Sequence, residues 1–324
     1  MEWVFTDVST NFFGHGFLAV DFFFCLSGFV IGYAYDEKIR VIGIWNFFRA
    51  RIIRLHPLVV IGSFLGLLGF LFPPFSAGGH HSFTDVLLLS LTSVLLIPYP
   101  VLESTSYNLF SLNTPAWSLF WEYMANIGYA LWFSRIRNRT LTVFLVLAAA
   151  WLVYTGYHYG NLLGGWSKVN WEAGMARVCY SFTAGLFVYR NRLIIRNRGG
   201  LVLTAMLLLA CLLMPFYSLN WLIESVLVLL VFPVIISLGA GTQVETRLQP
   251  LVNWLGNISY PLYMTHYWAL WFFGDWLNQP GYSPSQLPYI IPLGVVFLVA
   301  FAHIVMKLAD MPIRAYLKAK FLPA

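Results

Sequence analysis

A chain of 324 residues that is 59% hydrophobic, 18% aromatic and only 10% charged, with a mean hydropathy of +0.72, is excluded from the water-soluble domains. Its formal net charge of +6 sits beside long apolar runs and not on an aromatic-studded soluble face, so it reads as membrane topology and excludes nucleic acid as a partner. The three cysteines, Cys25, Cys179 and Cys211, all fall inside apolar runs and read as small buried hydrophobes, with neither a disulfide framework nor a metal site.

Residues 1–16 are too short and too polar to span, and Glu2 and Asp7 without a basic residue exclude a signal peptide, so they read as an outer segment. Apolar runs then follow at 17–35, 56–75, 117–134, 140–158, 174–189, 200–216, 220–238, 252–273 and 287–308, each near the ~20 residues that cross ~30 Å of hydrocarbon. Residues 309–324 read as a cytoplasmic tail. The run Val86–Ile97 is shorter and leads into Pro98 and Pro100, which suits a re-entrant or interfacial segment. The expected fold is all-α: one polytopic integral membrane domain over 1–324, with about nine transmembrane helices plus that segment.

Charge supports this choice. If Val86–Ile97 does not cross, all of the 19 Lys and Arg except Lys168 and Arg177 share one face. The positive-inside rule makes that face the cytoplasm of a cell membrane. Nine spans ending there put Met1 outside, without a leading span to export it, which implies that a first helix is missing from the chain.

The intramembrane polar residues carry the chemistry. Asp21, Glu122, Arg177 and His266 sit on four different helices, each about 5–10 Å from the outer end at 1.5 Å per residue. Ionisable groups at one depth are tolerated when they face one another around a wet cavity. Ser259, Tyr263 and His266 follow i, i+4, i+7 spacing and share a helix face. In FFRARIIRLHP, Arg51 and Arg54 lie three apart at the cytoplasmic boundary, where planar guanidinium forks suit phosphate oxygens. Blander readings stand beside these. Asp21 and Arg177 can also be read as a buried ion pair, His266 as an interfacial belt residue, and the arginines, taken alone, first of all as a headgroup anchor. His80 and His81, in a glycine-rich loop, read as solvated. The sequence contains no glycine-rich phosphate loop, zinc spacing or nucleophile elbow.

GFLAVDFFFCLSGFVI, FFRARIIRLHP, NTPAWSLFWEY, LGNISYPLYMTH and DMPIRAYL occur in an order that resembles the acyltransferase-3 family, over residues 15–317. The resemblance implies a multi-span enzyme moving an acyl group, usually acetyl, from cytoplasmic acyl-coenzyme A to a hydroxyl of a carbohydrate, glycolipid or other exported acceptor. It implies Arg51 and Arg54 as the coenzyme site. It also matches Asp21, Trp117, Ser118 and Glu122 to family positions. The family has ten spans, and its first helix carries an Arg and a catalytic His that would precede residue 15. On this reading the chain is a truncation, a mis-assigned start or an inactive member, with little stability or activity until that helix is supplied.

The residues present define a set of expectations. His266 is the base candidate, since acyl transfer to an alcohol needs a proton acceptor within hydrogen-bond reach. Asp21 and Glu122 orient a histidine or bind the acceptor. Trp117, Ser118, Arg177, Ser259 and Tyr263 are acceptor-binding candidates, acyl-coenzyme A (acetyl-coenzyme A) is the co-substrate, and no metal is expected. A polytopic transporter or flippase is the alternative, because intramembrane charges and a re-entrant segment suit both.

Overall fold

A computed structural model describes residues 13–73, 82–100 and 108–322. Most of the expected outer segment, the His80–His81 pair and the last two residues of the tail lie outside the described residues. Uninterrupted apolar runs become helices because every backbone N–H and C=O then finds its partner within its own segment. The described residues accordingly form helices joined by short connections, and no strand. In order they are α1 (Ala19–Tyr35), α2 (Ile39–Leu71), α3 (Phe83–Val94), α4 (Ala116–Leu131), α5 (Asn138–Tyr159), α6 (Trp171–Arg190) and α7 (Gly200–Leu212). There follow α8 (Asn220–Val226), α9 (Phe232–Ala240), α10 (Gln249–Thr265), α11 (Tyr267–Leu277), α12 (Leu287–Val305) and α13 (Met311–Phe321).

By length and composition, five helical stretches among the described residues are long and apolar enough to cross a membrane: Gly14–Tyr35, Ile39–Leu71, Asn138–Tyr159, Asn220–Ala240 and Pro284–Phe321. The other expected spans coincide with shorter or more polar helices, α4, α6, α7 and the α10–α11 pair. Val86–Ile97 coincides with the 12-residue α3.

Three boundaries differ from the sequence reading. The helix expected at 56–75 starts as early as Ile39 and is kinked at Gly43, whose φ of 79° is a conformation glycine adopts without steric cost. The expected span 252–273 is broken at His266. The last helix runs on through a π turn, Met306–Asp310, so the expected tail is helical as far as Phe321.

The chain divides into two compact units. The first comprises residues 13–44, 121–165 and 169–245 of the described chain, the second 45–120, 166–168 and 246–322, less the undescribed stretches.

In the first unit, α1 and α6 run parallel and nearly touch. A β-carbon at Gly28 would overlap the Phe182 carbonyl, and one at Gly185 would overlap the Cys25 carbonyl. Small residues are how membrane helices bring their backbones together. An acid–arginine pair closes each end of this contact, Asp21 with Arg177 at the start and Asp36 with Arg190 at the finish. Around it Leu18, Leu152, Leu162, Ala184, Val228 and Phe232 form a core that excludes solvent. A π turn at Leu227–Val231 separates α8 from α9, and the Tyr180 hydroxyl donates to the Leu229 carbonyl inside it at 2.7 Å. That side chain supplies a donor in the turn where the regular i→i−4 pattern lapses.

In the second unit, α2 packs on the 108–113 segment and on α10. A β-carbon at Gly62 would strike Asn113 and the Met264 carbonyl, and one at Gly66 the Leu112 carbonyl. Asn113 Nδ2 donates to the Met264 carbonyl at 3.0 Å, and the Tyr260 hydroxyl to the Leu55 carbonyl at 2.6 Å. Farther on, Ile258, Ala302 and Met306 pack together and tie α10 to α12.

Candidate functional site

The candidate residues fall into both units. In the second, the break between α10 and α11 is centred on His266. Pro261 lies within α10 and has no N–H to donate, and the last turn then ends in side-chain bonds. His266 Nδ1 donates to the carbonyls of Leu262 and Tyr263, at 3.1 and 2.9 Å. Carbonyls only accept, so the proton of the neutral ring is on Nδ1 and the lone pair is on Nε2. A histidine held in one tautomer by its backbone has the arrangement of a general base.

The neighbouring hydroxyls form a cluster. Tyr263 lies with its ring 6.1 Å from that of His266, centroid to centroid. Its hydroxyl is 2.8 Å from Ser118 Oγ, and both hydroxyls lie 3.0 Å from the Pro115 carbonyl. The carbonyl's two lone pairs can take both O–H groups, or one hydroxyl can donate to the other, and hydroxyl oxygens also accept, so the cluster suits a further hydroxyl. Trp117 is buried beside Ser118, one residue earlier on α4. Ser259 does not join them: it is exposed, and its hydroxyl turns back to the Gly256 carbonyl at 3.0 Å.

Arg51 and Arg54 share α2, but Arg51 is buried at 8% exposure and Arg54 is exposed. Three residues of α-helix leave a ~60° offset, enough to turn one guanidinium inward and the other outward. Among the described residues, the acids of this unit are Asp85, Asp275 and Asp310, against nine Lys and Arg. The unit therefore has a standing excess of positive charge.

In the first unit the candidates are engaged in hydrogen bonds within the fold. Arg177 Nε donates to both Asp21 oxygens at 3.0 and 3.1 Å, and Nη2 donates to Oδ2 at 2.6 Å. Nη1 donates to the Gly164 carbonyl at 2.6 Å, and Nη2 also to the Phe17 carbonyl at 3.2 Å. Asp21 is 0% and Arg177 1% exposed. Glu122 is buried too, and its Oε1 accepts from Ser27 Oγ at 2.6 Å and Asn126 Nδ2 at 3.0 Å.

Three clusters, buried or half-buried, escape the sequence reading. Asp36 accepts from Arg190 at 2.7 Å through two nitrogens and from the Tyr129 hydroxyl at 3.1 Å. His15, Asn220 and Glu224 form a buried chain in which Glu224 also accepts from the Leu162 N–H at 2.5 Å. Asp310 pairs with Arg314 at 2.8 Å. A lone acid inside an apolar span is a visible signal, and at Glu224 it points to the second cluster.

A sequence model of the acyltransferase domain, Acyl_transf_3, matches residues 1–307. Protein 2 in the picA locus of Rhizobium radiobacter is 34% identical over 157 residues, which cover 44% of this chain and 82% of that protein. Acyltransferase MdmB of Streptomyces mycarofaciens is 32% identical over 126 residues, 38% of this chain and 30% of that protein. No solved structure matches.

Proposed function

From the premise that this chain belongs to the acyltransferase-3 family, whose model it matches over residues 1–307, we propose that it transfers an acyl group, acetyl in the simplest case, from acyl-coenzyme A to a hydroxyl of a carbohydrate or glycolipid acceptor. The observation that carries the reading is the tautomer of His266. With Nδ1–H committed to two backbone carbonyls, Nε2 is the proton acceptor.

The steps follow from that atom. Nε2 takes the acceptor hydroxyl's proton as its oxygen attacks the thioester carbonyl. The tetrahedral oxyanion collapses, the carbon–sulfur bond breaks, and the coenzyme thiolate recovers the proton from Nε2. The products are an ester and free coenzyme thiol. The Ser118–Tyr263 hydroxyl pair binds the acceptor, with Trp117 as its apolar wall. Arg51 and Arg54 receive coenzyme phosphates, for which guanidinium forks are better matched than ammonium groups. Asp21, Arg177 and Glu122, each hydrogen-bonded within the first unit, serve as framework.

The protein is a membrane acyltransferase, and we place it in the cell membrane with residues 135–139 and α13 on the cytoplasmic side, from the clustering of Lys and Arg there. The parallel course of α1 and α6 is consistent with that topology, in which both descend toward the cytoplasm. The experiment is an assay of membranes carrying the protein expressed from its natural genomic context, given acyl-labelled coenzyme A and a total envelope glycan extract. Thioester consumption with label in an alkali-labile glycan ester is expected. Solute movement across vesicles without thioester consumption would instead favour a transporter built around the broken α10–α11 helix.

A further inference from the structure

In the second unit, a buried carboxylate pairs with one arginine and feels the charge of another. The π turn Met306–Asp310 turns Asp310 inward, to 0% exposure, in step with the buried Met306 that packs on α10. π turns gather at functional sites because the extra residue re-aims side chains. Arg314, one turn on, is one-quarter exposed and places Nη2 2.8 Å from Asp310 Oδ2. Arg54, on α2, is the second guanidinium whose charge reaches Asp310. The Arg314 contact is an ion pair without hydrogen-bond alignment, and Oδ1 of the same carboxylate accepts no hydrogen bond at all.

A buried carboxylate oxygen without a donor is costly, and a guanidinium paired to it, with a second close enough to act on its charge, attracts an anion. The combination matches a ligand that brings phosphate and a hydroxyl or amine donor together. A purely structural ion pair would have closed both oxygens, as Arg177 closes those of Asp21.

We propose that Arg54, Arg314 and Asp310 bind the nucleotide half of the acyl-coenzyme A donor. The two guanidiniums hold its phosphates, and Asp310 Oδ1 accepts from a ribose hydroxyl or the adenine amine. Arg314 is thereby a third donor-binding arginine, and Asp310 both positions it and reads the sugar or base. This rests on the acyl-coenzyme A reading above. A lipid headgroup with a phosphate and a free hydroxyl offers the same chemistry, so the test separates the two sources.

The assay compares acyl-coenzyme A with acyl-phosphopantetheine, which keeps the thioester arm and lacks the nucleotide, in vesicles with and without phosphatidylglycerol. Arg314→Ala is expected to raise KM for acyl-coenzyme A about tenfold, the loss of one charge-assisted contact, with kcat unchanged. KM for acyl-phosphopantetheine should not move, and Arg314→Lys should recover part of the loss. Asp310→Ala should reproduce the same donor-selective rise. Equal effects on both donors, or an effect that follows phosphatidylglycerol content, would overturn the proposal and make the cluster a fold or headgroup anchor. Native enzyme with no preference for acyl-coenzyme A over the truncated donor would instead overturn the donor reading itself. If Arg314→Ala does not accumulate, Arg314→Gln and Arg314→Lys carry the same comparison.

Discussion

The first unit pairs its buried and half-buried acids with donors at short range: Asp21 with Arg177, Asp36 with Arg190 and Tyr129, Glu224 with Asn220 and Leu162, Glu122 with Ser27 and Asn126. The second unit has few acids to pair. Its histidine is fixed by backbone carbonyls, its hydroxyls bond one another and a carbonyl, and its cations outnumber its acids. A buried pair whose charges answer one another serves packing, whereas the proposed base at His266 and an excess of positive charge are suited to turnover. Polarity inside a membrane therefore does not by itself mark chemistry. On the function proposed above, what marks it is polarity that the fold orients.

The largest expected effect breaks that contrast on the second unit's side. His266→Ala removes the base proposed above, and acyl transfer should fall by ~10²–10⁴-fold. The thermal transition of the purified protein should move little, because the imidazole bonds only its own helix end. His266→Gln should be equally inactive. Turnover retained by either variant would move the base elsewhere.

Next in size is the ion pair of the first unit. Asp21→Ala or Arg177→Ala strands a buried charge, a change that costs about 3–5 kcal/mol of stability when one partner of such a pair is removed. Asp21→Leu together with Arg177→Met takes both charges away and should regain most of that loss. Denaturant titration in detergent reads the three variants side by side. If the double variant is well folded yet inert, Asp21 or Arg177 acts in the reaction and the framework reading fails.

Part of this contrast is legible in the amino-acid sequence. An acid and an arginine at similar depth in 17–35 and 174–189 are open to pairing, and Gly28 and Gly185 lie where two helices meet. The helices themselves follow from apolar length. Partnership is not legible, because Asp36 and Arg190 lie 154 residues apart and only the parallel register of α1 and α6 brings them together. Helical phase fails at Ser259. The i, i+4, i+7 rule places three side chains on one face of a helix. In α10, Pro261 lies between Ser259 and Tyr263, and the helix ends before His266, so Ser259 is exposed while the other two turn partly inward. The surplus charge of the second unit is hidden as well, because residues 45–120 and 246–322 are one body only in three dimensions.

The smallest effect sharpens the comparison most. Ser118 and Tyr263 share the Pro115 carbonyl and each other, so removing one hydroxyl leaves the other a partner. A neutral hydrogen bond of this kind contributes about 0.5–1.5 kcal/mol net, so Tyr263→Phe or Ser118→Ala should change stability by no more than that. If the pair binds the acceptor, each replacement should raise the acceptor KM up to about tenfold and leave the donor KM alone. The double replacement should then cost less than the two single effects combined, because the hydroxyls act on one another. In the first unit, Ser27→Ala removes a donor to the buried Glu122 carboxylate, and there the change should appear in stability more than in KM. The contrast between the units would collapse if Tyr263→Phe altered only stability while Ser27→Ala altered only the acceptor KM.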